Sequence, residues 1–164
     1  IRVDKVANFE KMLYSSNLNE NTKTINFTSN YFNSISSMDK MFANATKLES
    51  IDFSGSKFNN IISMSHMFEG CKNLKSLNLS NFETNNTISM DFMFYDCQNL
   101  NVLDIFSFKT NKNINYTFEM FDGIESCKIC VNNDTAPEIF ELVHTHDNTL
   151  NNTCEIRNEI TKEN

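Results

Sequence analysis

Cysteine and histidine side chains near the C-terminal end are the first candidates for chemistry. Cys127, Cys130 and Cys154 lie there together with His144 and His146. Thiolates and imidazoles bind zinc, but the spacing matches no standard zinc site, and two cysteines three positions apart on a strand point to opposite faces. We therefore predict no metal and no other cofactor. Instead, we predict a disulfide that closes the C-terminal end, formed by Cys154 with either Cys127 or Cys130.

Other catalytic signatures are missing. The sequence contains no G-x-S-x-G, H-E-x-x-H, phosphate-loop or dinucleotide fingerprint. The net charge is −7 and the pI is about 4.9, with lysine and arginine scattered along the chain. We expect no nucleic acid as a partner, because its binding needs clustered basic residues. We expect a protein that is not an enzyme.

A second set of chemically useful residues recurs at one position of a repeated pattern. Asp52, Asn78 and Asp104 each stand between two apolar residues, with Ser50 and Ser76 at the preceding polar position. On paired strands such side chains form columns spaced about 4.8 Å apart. We predict that these columns bind a protein, a glycan or a cation. The alternative is a solvated ladder in which Asn78 separates the two aspartates.

Two apolar residues interrupt this polar pattern near its C-terminal end. Val102 and Phe106 stand where earlier repeats carry serine and other small polar residues. They predict an apolar contact point next to the polar columns. The alternative is that the C-terminal segment covers them.

The elements that position these residues come from a repeat. Met-Phe pairs begin at positions 41, 67, 93 and 120, so the first two steps are equal and the last step is longer by one. Within a repeat, apolar residues first follow helical spacing and then alternate as in a strand. A fixed period of roughly 20–50 residues, as here, is typical of a solenoid. We predict an α/β fold, a right-handed solenoid like those of leucine-rich repeats, with parallel strands on the concave face and short helices on the convex face.

Three regions follow from where the repeat holds. Residues 1–21 are predicted to form an N-terminal helical cap, residues 22–131 a solenoid of about four coils, and residues 132–164 a C-terminal cap. The last region is predicted to contain a helix over residues 138–144 and a short strand over residues 154–156. Cys71 and Cys97 occupy the same slot of adjacent repeats, which predicts buried thiols that act as small apolar fillers.

The stretch from Met67 to Thr84, MFEGCKNLKSLNLSNFET, resembles the BspA-like leucine-rich repeat, also known as the mycoplasma-type surface-protein repeat. The next repeat resembles it too, and an earlier one departs from it with Ala45 in the usual cysteine position. The resemblance implies a secreted or surface-anchored protein without shared catalytic residues, and some members are described as adhesins. We therefore expect a non-enzymatic module outside the cell or on its surface that binds a protein or glycan, including ligands of host origin. The alternative is a structural or scaffolding subunit of a larger assembly. No apolar run long enough to insert into a membrane occurs.

Overall fold

The computed structural model describes residues 8–14, 21–27, 32, 34–110, 117–146, 150–152 and 154. Six short strands in this part of the chain form one parallel sheet in chain order. They are β1 (Thr24–Asn26), β2 (Ser50–Asp52), β3 (Ser76–Asn78), β4 (Val102–Asp104), β5 (Cys127–Cys130) and β6 (Leu150–Asn152), and the helix α1 (Pro137–Thr145) lies between β5 and β6. The predicted solenoid with parallel strands is confirmed, whereas its hand and its curvature stay predictions.

The strands pair at equivalent positions of successive repeats. Ser50 pairs with Ser76, and Ser76 pairs with Val102 in the next strand. The central residue of β2, β3 and β4, such as Leu77, is buried, and its two neighbours point to the other face. One stack of strands therefore presents its polar residues side by side on the outer surface of the sheet, which we call the strand face.

The segments leading into the strands differ from the prediction, because they are turns and not short helices. His66 donates its backbone N–H to the Asp91 carbonyl at 2.8 Å, and Phe68 donates to the Met93 carbonyl at 2.9 Å. Alternate N–H groups thus bond to the neighbouring coil instead of closing helical turns. His66 and Gly70 have positive φ values of 58° and 67°, which a right-handed helix does not allow.

The N-terminal helical cap is only partly covered by the described residues. Residues 8–14 form the same kind of turn as the later coils. Asn8 bridges to Ser37, Leu13 donates its N–H to the Met41 carbonyl at 2.9 Å, and Lys11 has a φ of 54°. This part is therefore a further repeat turn and not a helix, and the rest of the predicted cap lies outside the described residues.

Phenylalanine rings form a single file through the core. The ring centroids of Phe42 and Phe68 are 5.4 Å apart, those of Phe68 and Phe94 are 5.7 Å apart, and those of Phe94 and Phe121 are 5.8 Å apart. The interplanar angles are 3°, 1° and 4°. Each ring is at most 2% exposed. The prediction that matching positions line up as rows is confirmed.

The extra residue in the last step of the repeat is compensated within the same coil. Phe121 stacks on Phe94, which precedes it by one residue more than the usual repeat length. Ile129 pairs with Leu103, which precedes it by the usual repeat length. The extra residue is therefore offset by a shorter connection before β5. Residues 111–116, where the insertion was predicted, lie outside the described residues.

The C-terminal end contains the predicted helix and a strand at a different place. Helix α1 begins at Pro137, whose missing N–H costs nothing in a first turn. It buries Ile139 and Val143 against the core. The final strand was predicted around Cys154, but β6 ends at Asn152. Residues 155 and 156 lie outside the described residues.

Candidate functional site

A groove of about 740 Å³ runs over β1, β2 and β3 on the strand face. It brings together four of the predicted site residues, Ser50, Asp52, Ser76 and Asn78. The groove is further lined by Thr24, Asn26, Ile51, Phe53, Ser54, Gly55, Ser80 and Asn81. Most of these side chains are short and end in a hydroxyl or carboxamide group, so the groove can donate and accept hydrogen bonds along its whole length.

The central column of the groove also has a structural role. The Asp52 Oδ1 accepts a hydrogen bond from the Ser54 N–H at 2.7 Å, and the Asn78 Oδ1 accepts one from the Ser80 N–H at 2.9 Å. Each bond forms a local turn at the end of a strand. Because both side chains supply the same acceptor oxygen, aspartate and asparagine can alternate in the column and keep like charges two strands apart.

Asp104 and Phe106 belong to the same repeat position but lie outside the groove. Asp104 is 2% exposed, and its Oδ1 accepts a hydrogen bond from the Phe106 N–H at 3.0 Å. Phe106 and Val102 are half-buried and pack against Cys130. Both side chains are therefore partly covered by a residue of β5.

A disulfide joins Cys130 and Cys154, whose Cα atoms are 4.5 Å apart. Cys130 pairs with Asp104 in the sheet, so the disulfide lies at the C-terminal end of the polar column. Cys127, the other candidate partner, is a free buried thiol. Burial raises the pKa of Cys127 to about 12. A thiol that stays protonated is a poor nucleophile.

Cys71 and Cys97 also point into the core. Their thiols donate to the carbonyl oxygens of Phe42 and Phe68 at 3.2 and 3.1 Å. Burial raises the pKa of Cys71 to about 12 and the pKa of Cys97 well above its ordinary value. These residues pack the interior, as predicted, and carry no chemistry at the surface.

Within the described ranges, no three histidine, cysteine, aspartate or glutamate residues come together as a metal site. The same ranges contain no helix that could cross a membrane.

An exposed phenylalanine on the turn side of the solenoid was missed by sequence reasoning. Phe118 is 64% exposed, and its ring contacts Phe92 in the preceding coil. A signal was present, since Phe118 occupies the position that holds Asp39, Ser65 and Asp91 in the earlier coils. An aromatic residue in an otherwise polar column indicates an exposed ring.

Comparison with known proteins gives one match. Residues 36–162 match the model of a family described as "Mycoplasma protein of unknown function, DUF285". No curated protein and no solved structure matches the chain.

Proposed function

The chain belongs to this DUF285 family of unknown function, and we propose that it is a non-enzymatic binding module of the BspA-like leucine-rich-repeat type. The groove on the strand face would recognise a protein or a glycan. The observation that carries the proposal is the continuous polar lining of that groove across three strands. A ligand with hydrogen-bonding groups at regular intervals would meet hydroxyl and carboxamide partners about 4.8 Å apart.

The composition of the groove favours binding over catalysis. Asp52 is the one titratable side chain among the described residues that line it. Its Oδ1 is held by the turn at the end of β2. General acid–base catalysis needs a positioned acid or base of suitable pKa, and a serine nucleophile needs an adjacent base. The serines of the groove have no histidine beside them in the lining.

The proposed location is outside the cell or on its surface. The Cys130–Cys154 disulfide supports it, because such bonds form and persist mainly in oxidising compartments. The three remaining cysteines are buried thiols, which is compatible with either compartment. The resemblance to surface-protein repeats points in the same direction.

The test blocks the groove and keeps the core intact. Ser50→Arg and Ser76→Arg place long charged side chains in the groove, and Ser126→Arg adds the same charge at an exposed position outside its lining. The purified variants would be compared on a glycan array and on a panel of immobilised extracellular-matrix proteins. We expect a ligand bound by the unaltered chain and by Ser126→Arg to lose at least tenfold in affinity with either groove variant. Equal binding by all three variants would exclude the groove.

The alternative, a structural subunit of a larger assembly, is favoured by the position of β1. It is the first strand of the sheet, and Thr24 and Asn26 are exposed. Edge strands can pair with a strand from another chain. Light scattering across a wide concentration range tests this role, since a scaffold built through β1 would form larger species that Asn26→Pro weakens.

A further inference from the structure

The turn surface of the two C-terminal repeat turns combines the exposed ring of Phe118 and the half-buried rings of Phe92 and Tyr95 with carboxylates. We call it the acidic aromatic face, and it consists of Asp91, Phe92, Tyr95, Phe118, Glu119 and Asp122. Among the described residues, Phe118 is the most exposed of the large apolar side chains at 64%, ahead of Ile62 at 47%. A ring that exposed has little folding role of its own.

The rings of this face hold one another in place. Phe92 stacks on His66 with centroids 4.8 Å apart, and meets Tyr95 edge-on at 5.7 Å. Phe118 packs edge-on against Phe92 at 5.5 Å. The backbone N–H of Phe118 donates to the Asp91 Oδ1 at 2.8 Å. The aromatic surface is therefore preorganised in the unbound protein, which lowers the entropy cost of binding.

The charge around these rings is negative. Residues 76–108 and 113–127 contain no lysine or arginine. Lys72 reaches across to Asp96 at 2.9 Å, and His146 lies 3.4 Å from Asp122. Asp91 and Glu119 have no ion pair with a basic side chain among the described residues. A partner that approaches Phe92 and Phe118 therefore meets carboxylates on both repeats.

The combination is confined to one end of the solenoid. The pair of positions that carries Asp91-Phe92 and Phe118-Glu119 in the C-terminal turns carries Asp39-Lys40 in an earlier one. Acidic residues therefore recur along the array, as at Asp39, but phenylalanine occurs at this pair of positions only in the two C-terminal turns. The combination of phenylalanine with carboxylates there points to a local binding role.

We propose that the acidic aromatic face docks an arginine-rich segment of a partner protein. The planar guanidinium group stacks on an aromatic ring and donates in parallel to a carboxylate, so it matches both components of this face. Lysine supplies the charge without the planar stack. A nucleic acid or an anionic membrane would be repelled by the carboxylates. The site is separate from the groove on the strand face, so either can fail without the other.

The test uses an octa-arginine peptide as the probe, with octa-lysine and an uncharged Gly-Ser octapeptide for comparison, by calorimetry in about 0.15 M salt. We expect octa-arginine to bind best and the uncharged peptide not to bind. Phe118→Ala should weaken octa-arginine binding about three- to fivefold. Ile62→Ala removes another exposed apolar side chain and should leave the affinity unchanged.

A second pair of variants separates the site from overall charge. Glu119→Gln and the exposed Glu83→Gln change the net charge equally. We expect only Glu119→Gln to weaken binding. The proposal is overturned if both glutamate variants lose affinity equally or if Phe118→Ala leaves the affinity unchanged. It is also overturned if octa-lysine or the uncharged peptide binds as well as octa-arginine, or if octa-arginine does not bind.

Discussion

Replacing Phe68 by alanine should remove one ring from the middle of the phenylalanine file. Phe68 is fully buried and stacks between Phe42 at 5.4 Å and Phe94 at 5.7 Å. Truncation of a buried phenylalanine costs about 3–5 kcal/mol, because transfer energy is lost and a cavity remains. Loss of two aromatic contacts places Phe68→Ala near the upper end of that range. We expect the free energy of unfolding to fall by about 4–5 kcal/mol.

The measurement is urea unfolding followed by far-ultraviolet circular dichroism, which suits a chain without tryptophan. The matched control is Phe118→Ala, in which the ring is 64% exposed, and a loss of no more than about 0.5 kcal/mol is expected there. The slope of the free energy against urea should stay constant, since a changed slope would indicate partial unfolding of the repeat array.

A double-mutant cycle provides the decisive comparison. Phe42→Ala and Phe68→Ala remove rings in direct contact, so their effects should depart from additivity by about 0.5 kcal/mol or more. Phe42 and Phe121 are three coils apart in the same file, and their effects should add. A loss below about 1 kcal/mol in Phe68→Ala, or the same additivity in both pairs, would refute the stacked core.

Three further predictions concern the cysteines and a glycine. Burial raises the pKa of the Cys127 thiol to about 12 from 9.0. The stability that the protonated thiol contributes is therefore complete below pH 9 and is lost as pH rises toward 12. In urea titrations, the free energy of unfolding of Cys127→Ala should decline less steeply over that pH range than that of the unaltered chain, and an equally steep decline would contradict this. Replacing both Cys130 and Cys154 by serine removes a disulfide with a sequence separation of 24. The free energy of unfolding should fall by about 3–4 kcal/mol. An unchanged urea midpoint would show that the disulfide does not stabilise the fold. Gly70→Ala introduces a Cβ 2.6 Å from the Asn44 Oδ1, at a residue whose φ is +67°, so it should lower the thermal midpoint. Adding Asn44→Gly removes the close contact and should restore part of the loss. No recovery would mean that the loss comes from the backbone conformation of residue 70 and not from the contact.

The strand pairing could be predicted because buried apolar side chains recur at equivalent positions of successive repeats. Leu77 and Leu103 lie one repeat length apart and pair directly. A slip by one residue would turn buried leucines outward. The phenylalanine file follows from the same spacing. A repeat architecture can be recognised from the sequence because each coil contacts mainly its neighbours and therefore needs similar residues at similar positions.

The turns could not be distinguished from helices by apolar spacing alone. Met64, Met67 and Phe68 are all buried, and apolar residues three and four positions apart suit both a helix and a tight coil. One signal was overlooked. Asn44, Gly70, Asp96 and Gly123 occupy one recurring position, and all have positive φ values; asparagine, aspartate and glycine tolerate that conformation best.

The groove was predicted only in part. Ser50, Asp52, Ser76 and Asn78 line it as the spacing implied. Asp104 is buried and lies outside the lining, where Val102 and Phe106 pack against Cys130 of the disulfide. The repeat pattern itself carries no information on that contact, because the sequence allowed two partners for Cys154.

The offset of the longer step within one coil has a consequence for which changes of length this fold tolerates. The aromatic file and the strand ladder run through the same coil, yet the file takes one residue more than the ladder to cross it. A gain of one residue is thus cancelled by a loss nearby before the chain enters the next layer. An insertion in one coil can therefore change the outline of that coil, and with it the local surface, while the strands of the neighbouring coils keep their pairing.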